Sequence, residues 1–234
     1  MDVAALVFDV FGTCVDWRGT IIREAGRWSR ELGRPIDGAG LADAWRANYQ
    51  PSMEKVRTGR RPFAILDTLH RETLESLAPR FGLDGLDAAT IDRLNKVWHR
   101  LDPWPDTLPG LRRLKAKYLL APLSNGGVAL LTRMAKRAGL PWDLILSGEL
   151  FEGYKPDPKV YLGAVRLLDL PPARVMMVAA HNGDLAAAAA LGLRTAFVCR
   201  PSEYGPAQKT DLAPTAAWDF AGNDMEALAD ALGC

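Results

Sequence analysis

The sequence predicts an α/β protein in which a parallel β-sheet is interrupted by an inserted helical unit. Two observations support this fold class. Apolar strand patterns alternate with amphipathic helix patterns at the start and in the second half of the chain, whereas a long stretch between them shows helix patterns alone. With 234 residues, the chain is long enough to bury a core of one large domain or two modest ones.

The sheet is predicted to begin with residues 3–10, an apolar segment with the β-branched residues typical of a buried parallel strand. The alternation resumes at about residue 103. We expect further strands over 118–123, 144–147, 175–179 and 195–198, and helices over 128–138, 158–168 and 184–191. Strands separated by helices in this way imply right-handed crossovers within one parallel sheet.

The intervening segment contains no convincing strand pattern. Helices are predicted over 20–32, 41–57, 63–81 and 88–101, separated by short runs rich in Gly and Pro. We therefore divide the chain into a core formed by residues 1–15 and 106–234 and a helical cap formed by residues 16–105.

Composition narrows the class of protein. Hydrophobic residues make up 48% and charged residues 24% of the chain, and the net charge is +1, so no basic surface is expected to bind nucleic acid or a membrane. The first residues lack the basic start of a signal peptide, and no run of about 18 apolar residues occurs. A cytoplasmic protein is the expectation.

The cysteines give no sign of a disulfide framework or a zinc site. They are odd in number, widely spaced and without a CxxC pair: Cys14, Cys199 and Cys234. We interpret Cys14 as a packing residue because no histidine is near it in the sequence.

Polar side chains follow the ends of several predicted strands, where open α/β sheets place their ligands. Taken singly, Ser124 or Asn182 is more simply explained as a helix N-cap or turn residue. Together, however, these residues would gather on one edge of a parallel sheet and predict an active site. The candidates are Asp9, Thr13, Ser124, Asn125, Lys155, His181, Asn182 and Asp184.

Asp9 is the candidate nucleophile, because a carboxylate can attack an electrophilic centre and later leave as an acyl group. Burial alone would raise its pKa, so the ionised form needs a nearby positive charge or hydrogen-bond donors. Lys155 is the expected ion-pair partner. The hydroxyls of Thr13 and Ser124 are expected to bind carboxylate oxygens.

The strings DVFGT, LSNGG, YKPDPKVY and AAHNGD resemble, in order and rough spacing, the four motifs of the haloacid dehalogenase (HAD) superfamily. The resemblance covers nearly the whole chain and implies the HAD fold, a Rossmann-like parallel-sheet core with an inserted helical cap. Phosphatases of this superfamily carry a second Asp two residues after the nucleophile, where this chain has Phe11. A phosphate ester needs such an acid to protonate its leaving group, whereas a halide does not.

Phe11 therefore favours the dehalogenase branch, and we expect the protein to need neither a metal ion nor another cofactor. A magnesium-dependent phosphatase acting on a small phosphorylated metabolite is the alternative, and a non-catalytic protein that kept the fold is a second. The string DAWRANY resembles the Trp-Arg pair of type II (L-)2-haloacid dehalogenases and supplies Trp45 and Arg46. An arginine fork suits a carboxylate or a leaving halide.

The same resemblance implies further roles. Tyr161 matches the active-site tyrosine of these enzymes, and Asn125 matches the asparagine that faces the substrate. Asp184 would pair with Lys155 or position the hydrolytic water. The implied reaction converts small 2-haloalkanoic acids to 2-hydroxy acids through an aspartyl ester on Asp9. A homodimer is also implied, although no apolar stripe in the sequence marks an interface.

The last motif departs from the pattern. Many relatives read SSNAWD where this chain reads AAHNGD, so Ala179, His181 and Gly183 replace a serine, an asparagine and a tryptophan. His181 is predicted to donate to halide or to take part in ester hydrolysis, and a neutral loop histidine is an equal alternative. The variant motif resembles dehalogenases that accept small substrates, fluoroacetate among them.

Overall fold

The computed structural model describes residues 2–234. The strands are β1 (Ala5–Phe8), β2 (Val15–Asp16), β3 (Asp102–Pro103), β4 (Leu119–Ser124), β5 (Leu146–Ser147), β6 (Val175–Ala179), β7 (Arg194–Val198) and β8 (Phe220–Gly222). The α-helices are α1 (Trp17–Leu32), α2 (Gly38–Ala47), α3 (Tyr49–Arg57), α4 (Leu66–Leu77), α5 (Ala88–Asn95), α6 (Thr107–Lys115), α7 (Val128–Ala138), α8 (Pro158–Leu167), α9 (Asn182–Ala190) and α10 (Met225–Ala231).

Six strands form one parallel sheet in the order β5-β4-β1-β6-β7-β8. The predicted α/β fold with a parallel sheet is therefore confirmed. The first strand lies centrally, with Phe8 in register with Pro122 on one side and Val178 on the other. Apolar side chains bury both faces of the sheet, as a parallel sheet between helices requires. The carboxyl ends of β1, β4 and β6 consequently meet at one edge.

The helices α1 to α5 lie between β2 and β3, which pair as a short antiparallel ladder with Val15 opposite Pro103. The predicted boundaries at residues 16 and 105 fall in or beside these two strands. We propose that this ladder is the connection between the core and the cap.

The prediction of one continuous helix over 41–57 is wrong, because the segment forms two helices: α2 ends at Ala47 and α3 begins at Tyr49. Pro51 explains the break, since its ring occupies the space of the carbonyl four residues earlier and its nitrogen has no hydrogen to donate. The predicted helices 63–81 and 88–101 also end early. Each continues as a 3₁₀ helix, Ala78–Phe81 and Lys96–Arg100.

Several elements have no counterpart in the sequence prediction: β2, β3, β8, α6 and α10. The three strands have two or three residues each, too few for a periodic pattern. The sequence of α6 includes Pro109 and Gly110, which normally mark a turn. Gly110 is required by packing, because a Cβ there would lie 2.7 Å from the side chain and backbone of Met225 in α10. Along residues 2–234, no helix has both the length and the hydrophobicity needed to cross a membrane.

Candidate active site

A cavity of about 360 Å³ opens where β1, β4 and β6 end beneath the helical unit. The side chains that matter for its chemistry line it together: Asp9, Phe11, Arg46, Tyr49, Asn125, Lys155, Tyr161, His181 and Asp184. The structure thus brings most of the residues predicted from the strand ends into one place.

Asp9 follows β1 directly, and its backbone N–H donates to the carbonyl of Val178 in the neighbouring strand at 2.9 Å. The chain then turns, with Gly12 at a φ of 90°, so that Thr13 lies beside the carboxylate. The Thr13 hydroxyl donates to Asp9 Oδ2 at 2.7 Å and accepts from the N–H of Ala180 at 2.9 Å. Both contacts fix the carboxylate against the ends of two strands.

Lys155 is buried between two carboxylates. Its Nζ lies 3.0 Å from Asp9 Oδ1 and also contacts Asp184. The backbone N–H of Lys155 donates to Asn125 Oδ1 at 2.7 Å, which ties the lysine loop to the end of β4. The predicted pairing of Lys155 with Asp9 and Asp184 is present in these contacts.

The electrostatics favour an ionised nucleophile. Burial on its own raises the pKa of Asp9, but the Lys155 charge and the hydrogen bond with His181 outweigh burial and hold that pKa well below its usual range. Burial on its own lowers the pKa of Lys155, but Asp184 and Asp9 raise it above its ordinary value. Both groups are therefore charged near neutral pH.

His181 bridges two carboxylates. Its Nδ1 lies 3.0 Å from Asp9 Oδ2, and its Nε2 lies 2.9 Å from Glu203 Oε2. Burial lowers the pKa of His181, but the charge of Glu203 and the contact with Asp9 raise it well above the ordinary value. This environment differs from that of a neutral loop histidine.

Arg46 reaches the cavity from α2. Its Nη2 lies 3.5 Å from Glu203 Oε1, and its guanidinium carbon lies 4.3 Å from the centre of the Tyr49 ring. Its Nη1 is buried and has no hydrogen-bond partner within residues 2–234. Trp45 turns the other way. Its indole N–H donates to the carbonyl of His70 in the helical unit, and Trp45 does not line the cavity.

The remaining predicted residues divide into two groups. The Tyr161 hydroxyl donates to Asp184 Oδ1 at 2.5 Å at the cavity wall. Ser124 and Asn182 do not line the cavity. The Ser124 hydroxyl accepts from the N–H of Gly126, and the backbone N–H and side chain of Asn182 form hydrogen bonds with the loop at 211–218. Their contacts are those of turn and loop residues.

Sequence reasoning missed Glu203, Tyr49 and Tyr204. Tyr49 lies three residues after Arg46 in the predicted helix 41–57, where that spacing would place both residues on one face, so that signal was available. Glu203 and Tyr204 follow β7, a fifth strand end, at which the sequence predicts no site residue. No local pattern shows that Glu203 is buried at 1% exposure.

A family model described as haloacid dehalogenase-like hydrolase matches residues 3–192. The chain belongs to this family. It is therefore a hydrolase of the haloacid dehalogenase superfamily, and the superfamily resemblance drawn from its four motifs is confirmed.

Individual members of the family are similar along most of their length. (S)-2-haloacid dehalogenase 1 of Pseudomonas sp. (strain CBS-3) is 32% identical over 211 residues, covering 86% of this chain and 88% of that protein. The L-2-haloacid dehalogenase PA0810, known from a crystal structure, shares 54% sequence identity with this chain; the two structures have a TM-score of 0.95, and 98% of each chain is covered. The defluorinating L-2-haloacid dehalogenase Rha0230, also known from a crystal structure, shares 47% sequence identity; its TM-score is 0.97, and the match covers 99% of this chain and 96% of the Rha0230 chain.

The donor set of this haloacid dehalogenase-like site does not fit a metal ion. Across residues 2–234, no three His, Cys, Asp or Glu side chains are arranged to hold one. The Lys155 ammonium lies between the carboxylates of Asp9 and Asp184 and forms an ion pair with each. What the arrangement offers is an ionised carboxylate, held by three donors, facing a cavity that also contains an arginine.

Proposed function

We propose that this hydrolase removes halide from small 2-haloalkanoic acids and releases 2-hydroxy acids, through an ester formed on Asp9. One observation carries the proposal. The Asp9 carboxylate is kept ionised by Lys155 and faces the cavity, while the apolar Phe11 stands where phosphoryl transfer would need an acid. A carboxylate without a neighbouring acid suits a leaving group that needs no proton.

In the first step, an Asp9 oxygen attacks C2 of the substrate in line with the carbon–halogen bond. The new C2–O bond forms as the carbon–halogen bond breaks, and the halide leaves with the electron pair. We assign its reception to the buried Arg46 guanidinium, whose Nη1 is free, and to the amide of Asn125, since charged and polar donors stabilise a departing anion. A chiral C2 inverts.

In the second step, water attacks the acyl carbon of the Asp9 ester. We assign proton transfer to Asp184, which Lys155 and Tyr161 hold at the cavity wall. The bond between the acyl carbon and the substrate oxygen then breaks, and the 2-hydroxy acid leaves. Two steps through a covalent intermediate replace one difficult displacement by water.

The relatives support small substrates. The cavity, about 360 Å³ and lined by charged side chains, has room for haloacetates and 2-halopropionates. PA0810 and Rha0230 are described as L-2-haloacid dehalogenases, and Rha0230 also as defluorinating. We therefore extend the proposal to fluoroacetate as a substrate.

The test is a single turnover of chloroacetate in ¹⁸O-labelled water, with enzyme in excess. We expect one labelled oxygen in the peptide that contains Asp9 and none in the first glycolate released. Label found directly in glycolate, with none in Asp9, would overturn the ester pathway. Asp9→Asn should lower halide release by more than about 1,000-fold, equivalent to about 4 kcal/mol of barrier. Asp157→Asn is the matched control, because Asp157 is a half-buried carboxylate that caps α8 and does not line the cavity.

The phosphatase alternative is separated in the same preparation. Halide release that persists in chelator, with no phosphate released from p-nitrophenyl phosphate, supports the dehalogenase. Phosphate release that chelator abolishes, with no halide release, would replace the dehalogenase proposal by the phosphatase. Fluoro-, chloro- and bromoacetate together with both 2-chloropropionate enantiomers then define the preferred halogen and stereochemistry.

A further inference from the structure

Glu203 lies in the loop after β7, beyond the residues that match the family model. Its carboxylate is buried yet contacts three separate parts of the fold. It accepts from the Trp17 indole N–H at 3.0 Å, lies 2.9 Å from His181 Nε2 and lies 3.5 Å from Arg46 Nη2. A Cβ added to Gly12 would lie 2.1 Å from this carboxylate, so the turn after β1 is built around it.

The contacts of His181 determine its protonation state. A neutral imidazole has one donor nitrogen and one acceptor nitrogen. Here both nitrogens face carboxylate oxygens, those of Asp9 and Glu203, so a neutral ring would direct a lone pair at an anion. The imidazolium, which donates from both nitrogens, is the form that satisfies both contacts. Glu203 therefore fixes the charge of His181 as well as its orientation.

The two oxygens of Asp9 are not equivalent. Oδ2 accepts from the Thr13 hydroxyl at 2.7 Å and from His181 at 3.0 Å, which occupies both of its in-plane lone pairs. Oδ1 accepts from Lys155 at 3.0 Å and keeps a lone pair. Oδ1 is consequently the attacking oxygen, and Oδ2 remains as the carbonyl oxygen of the ester.

We propose that Glu203 is a positioning residue that holds His181 as a cationic donor to Asp9 Oδ2, and that this donor stabilises the oxyanion formed there during ester hydrolysis. The inference rests on the proposed function and adds to it separate roles for the two oxygens of Asp9: Oδ1 attacks the substrate, and Oδ2 carries the oxyanion. Donors aimed in advance at the atom where charge develops are the main device of acyl-transfer catalysis.

The electron and proton movements balance. Water adds to the acyl carbon of the ester and gives one proton to Asp184, while the carbonyl π electrons move to Oδ2, facing Thr13 and His181. The carbonyl then reforms and the bond from the acyl carbon to Oδ1 breaks. Oδ1 leaves as the hydroxyl oxygen of the product and takes the proton from Asp184. The water oxygen completes the new carboxyl group, which releases a proton to solvent.

The kinetic test separates the two half-reactions of Glu203→Gln with chloroacetate at excess enzyme. Chloride release reports ester formation, glycolate release reports hydrolysis, and intact-protein mass spectrometry reports the ester. We expect glycolate release to slow about 10- to 100-fold and chloride release to slow much less, so that the ester accumulates. One oxyanion donor is worth about 100- to 1,000-fold, and Gln at position 203 weakens the His181 donor without removing it. Glu75→Gln, an exposed carboxylate on α4 paired with Arg71, is the matched control.

A spectroscopic test needs no turnover. The chain has three histidines, so the ¹⁵N resonances of His181 can be assigned by substitution of each in turn. We expect both ring nitrogens of His181 to stay protonated in the parent well above pH 6.5, the ordinary pKa of histidine, and one to lose its proton at a lower pH in Glu203→Gln than in the parent. Asp9 and Glu203 face the ring directly, and the other charged groups lining the cavity are Arg46, Lys155, Asp184 and Asp211.

The outcomes are distinguishable. A neutral His181 ring in the parent at pH 7 overturns the inference, and so does equal slowing of chloride and glycolate release in Glu203→Gln without accumulated ester. A parent that releases no halide from any haloacetate overturns the proposed function instead. If Glu203→Gln does not fold, the parent ¹⁵N spectrum still decides the protonation state on which the inference depends.

Discussion

Lys155 is ion-paired with two mostly buried carboxylates, so its replacement by methionine should destabilise the protein strongly. The side chains of Lys155, Asp9 and Asp184 are 6%, 11% and 10% exposed. Removing one partner of a buried ion pair costs about 3–5 kcal/mol, because the remaining charge is left without compensation. Methionine is unbranched and only one atom shorter than lysine, so little of this loss should come from packing. We expect a decrease of that size in the free energy of unfolding at pH 8.

The loss should depend on pH in a defined direction. In the parent, the pKa of Asp9 is held well below its usual range, so this carboxylate stabilises the fold above about pH 4, its ordinary pKa, and the contribution disappears as pH falls. In Lys155→Met the largest of the contributions that lower this pKa is gone, while burial still raises it and only His181 and Thr13 still lower it. The difference in stability between parent and variant should therefore be largest near pH 8 and shrink toward pH 4.

Urea unfolding at pH 8, 6 and 4.5 measures this difference directly. Lys159→Met is the control, because Lys159 is 50% exposed and lies 3.7 Å from Asp157. Exposed pairs contribute about 0–1 kcal/mol, so the control should change little at any pH. A loss in Lys155→Met that matches the control, or that stays constant from pH 8 to pH 4.5, would refute the electrostatic explanation.

Three further predictions concern buried groups. Burial lowers the pKa of His70 to about 3, so the free energy of unfolding of the parent decreases as pH falls below 6.5. In His70→Phe this decrease should be absent, so the variant should gain about 2 kcal/mol relative to the parent between pH 7 and pH 5, measured by urea unfolding. Arg46→Lys should lower kcat/KM for chloroacetate about 10- to 100-fold, because lysine keeps the charge but lacks the planar guanidinium group with its several N–H donors. Arg200→Lys should cost about 1–3 kcal/mol in thermal unfolding, since Arg200 binds Asp106 through two nitrogens and donates to the Thr13 carbonyl at 2.9 Å.

The parallel sheet and the location of the site could be predicted because each rests on a local signal. A buried strand such as 175–179 is a continuous apolar run, and its bounds in the structure are the predicted ones. Asp9, Lys155 and Asp184 were placed together by one rule, that parallel strands bring their carboxyl ends to the same edge. That rule needs no knowledge of side-chain packing.

The interior of the helical unit could not be predicted in the same way. The apolar pattern continues from α2 into α3, although the proline at 51 prevents one continuous helix there. The direction of Trp45 depends on packing against Trp98, whose ring centre lies 5.5 Å away, and not on the neighbouring Arg46. The periodicity of apolar residues shows that a side chain points inward, but it does not show whether that side chain packs in the hydrophobic core or lines the cavity.

Charge balance shows why Glu203 was missed and how it could have been inferred. The predicted site held Asp9 and Asp184 against Lys155 and Arg46, which is neutral. Once His181 lies beside Asp9 as a cation, the buried site carries one positive charge too many, and a buried charge is stable only when it is paired. A further carboxylate must then come from a strand end not yet counted, and β7 is followed by Glu203. The sequence contained that residue, but the requirement for it arises only when the protonation of His181 is known.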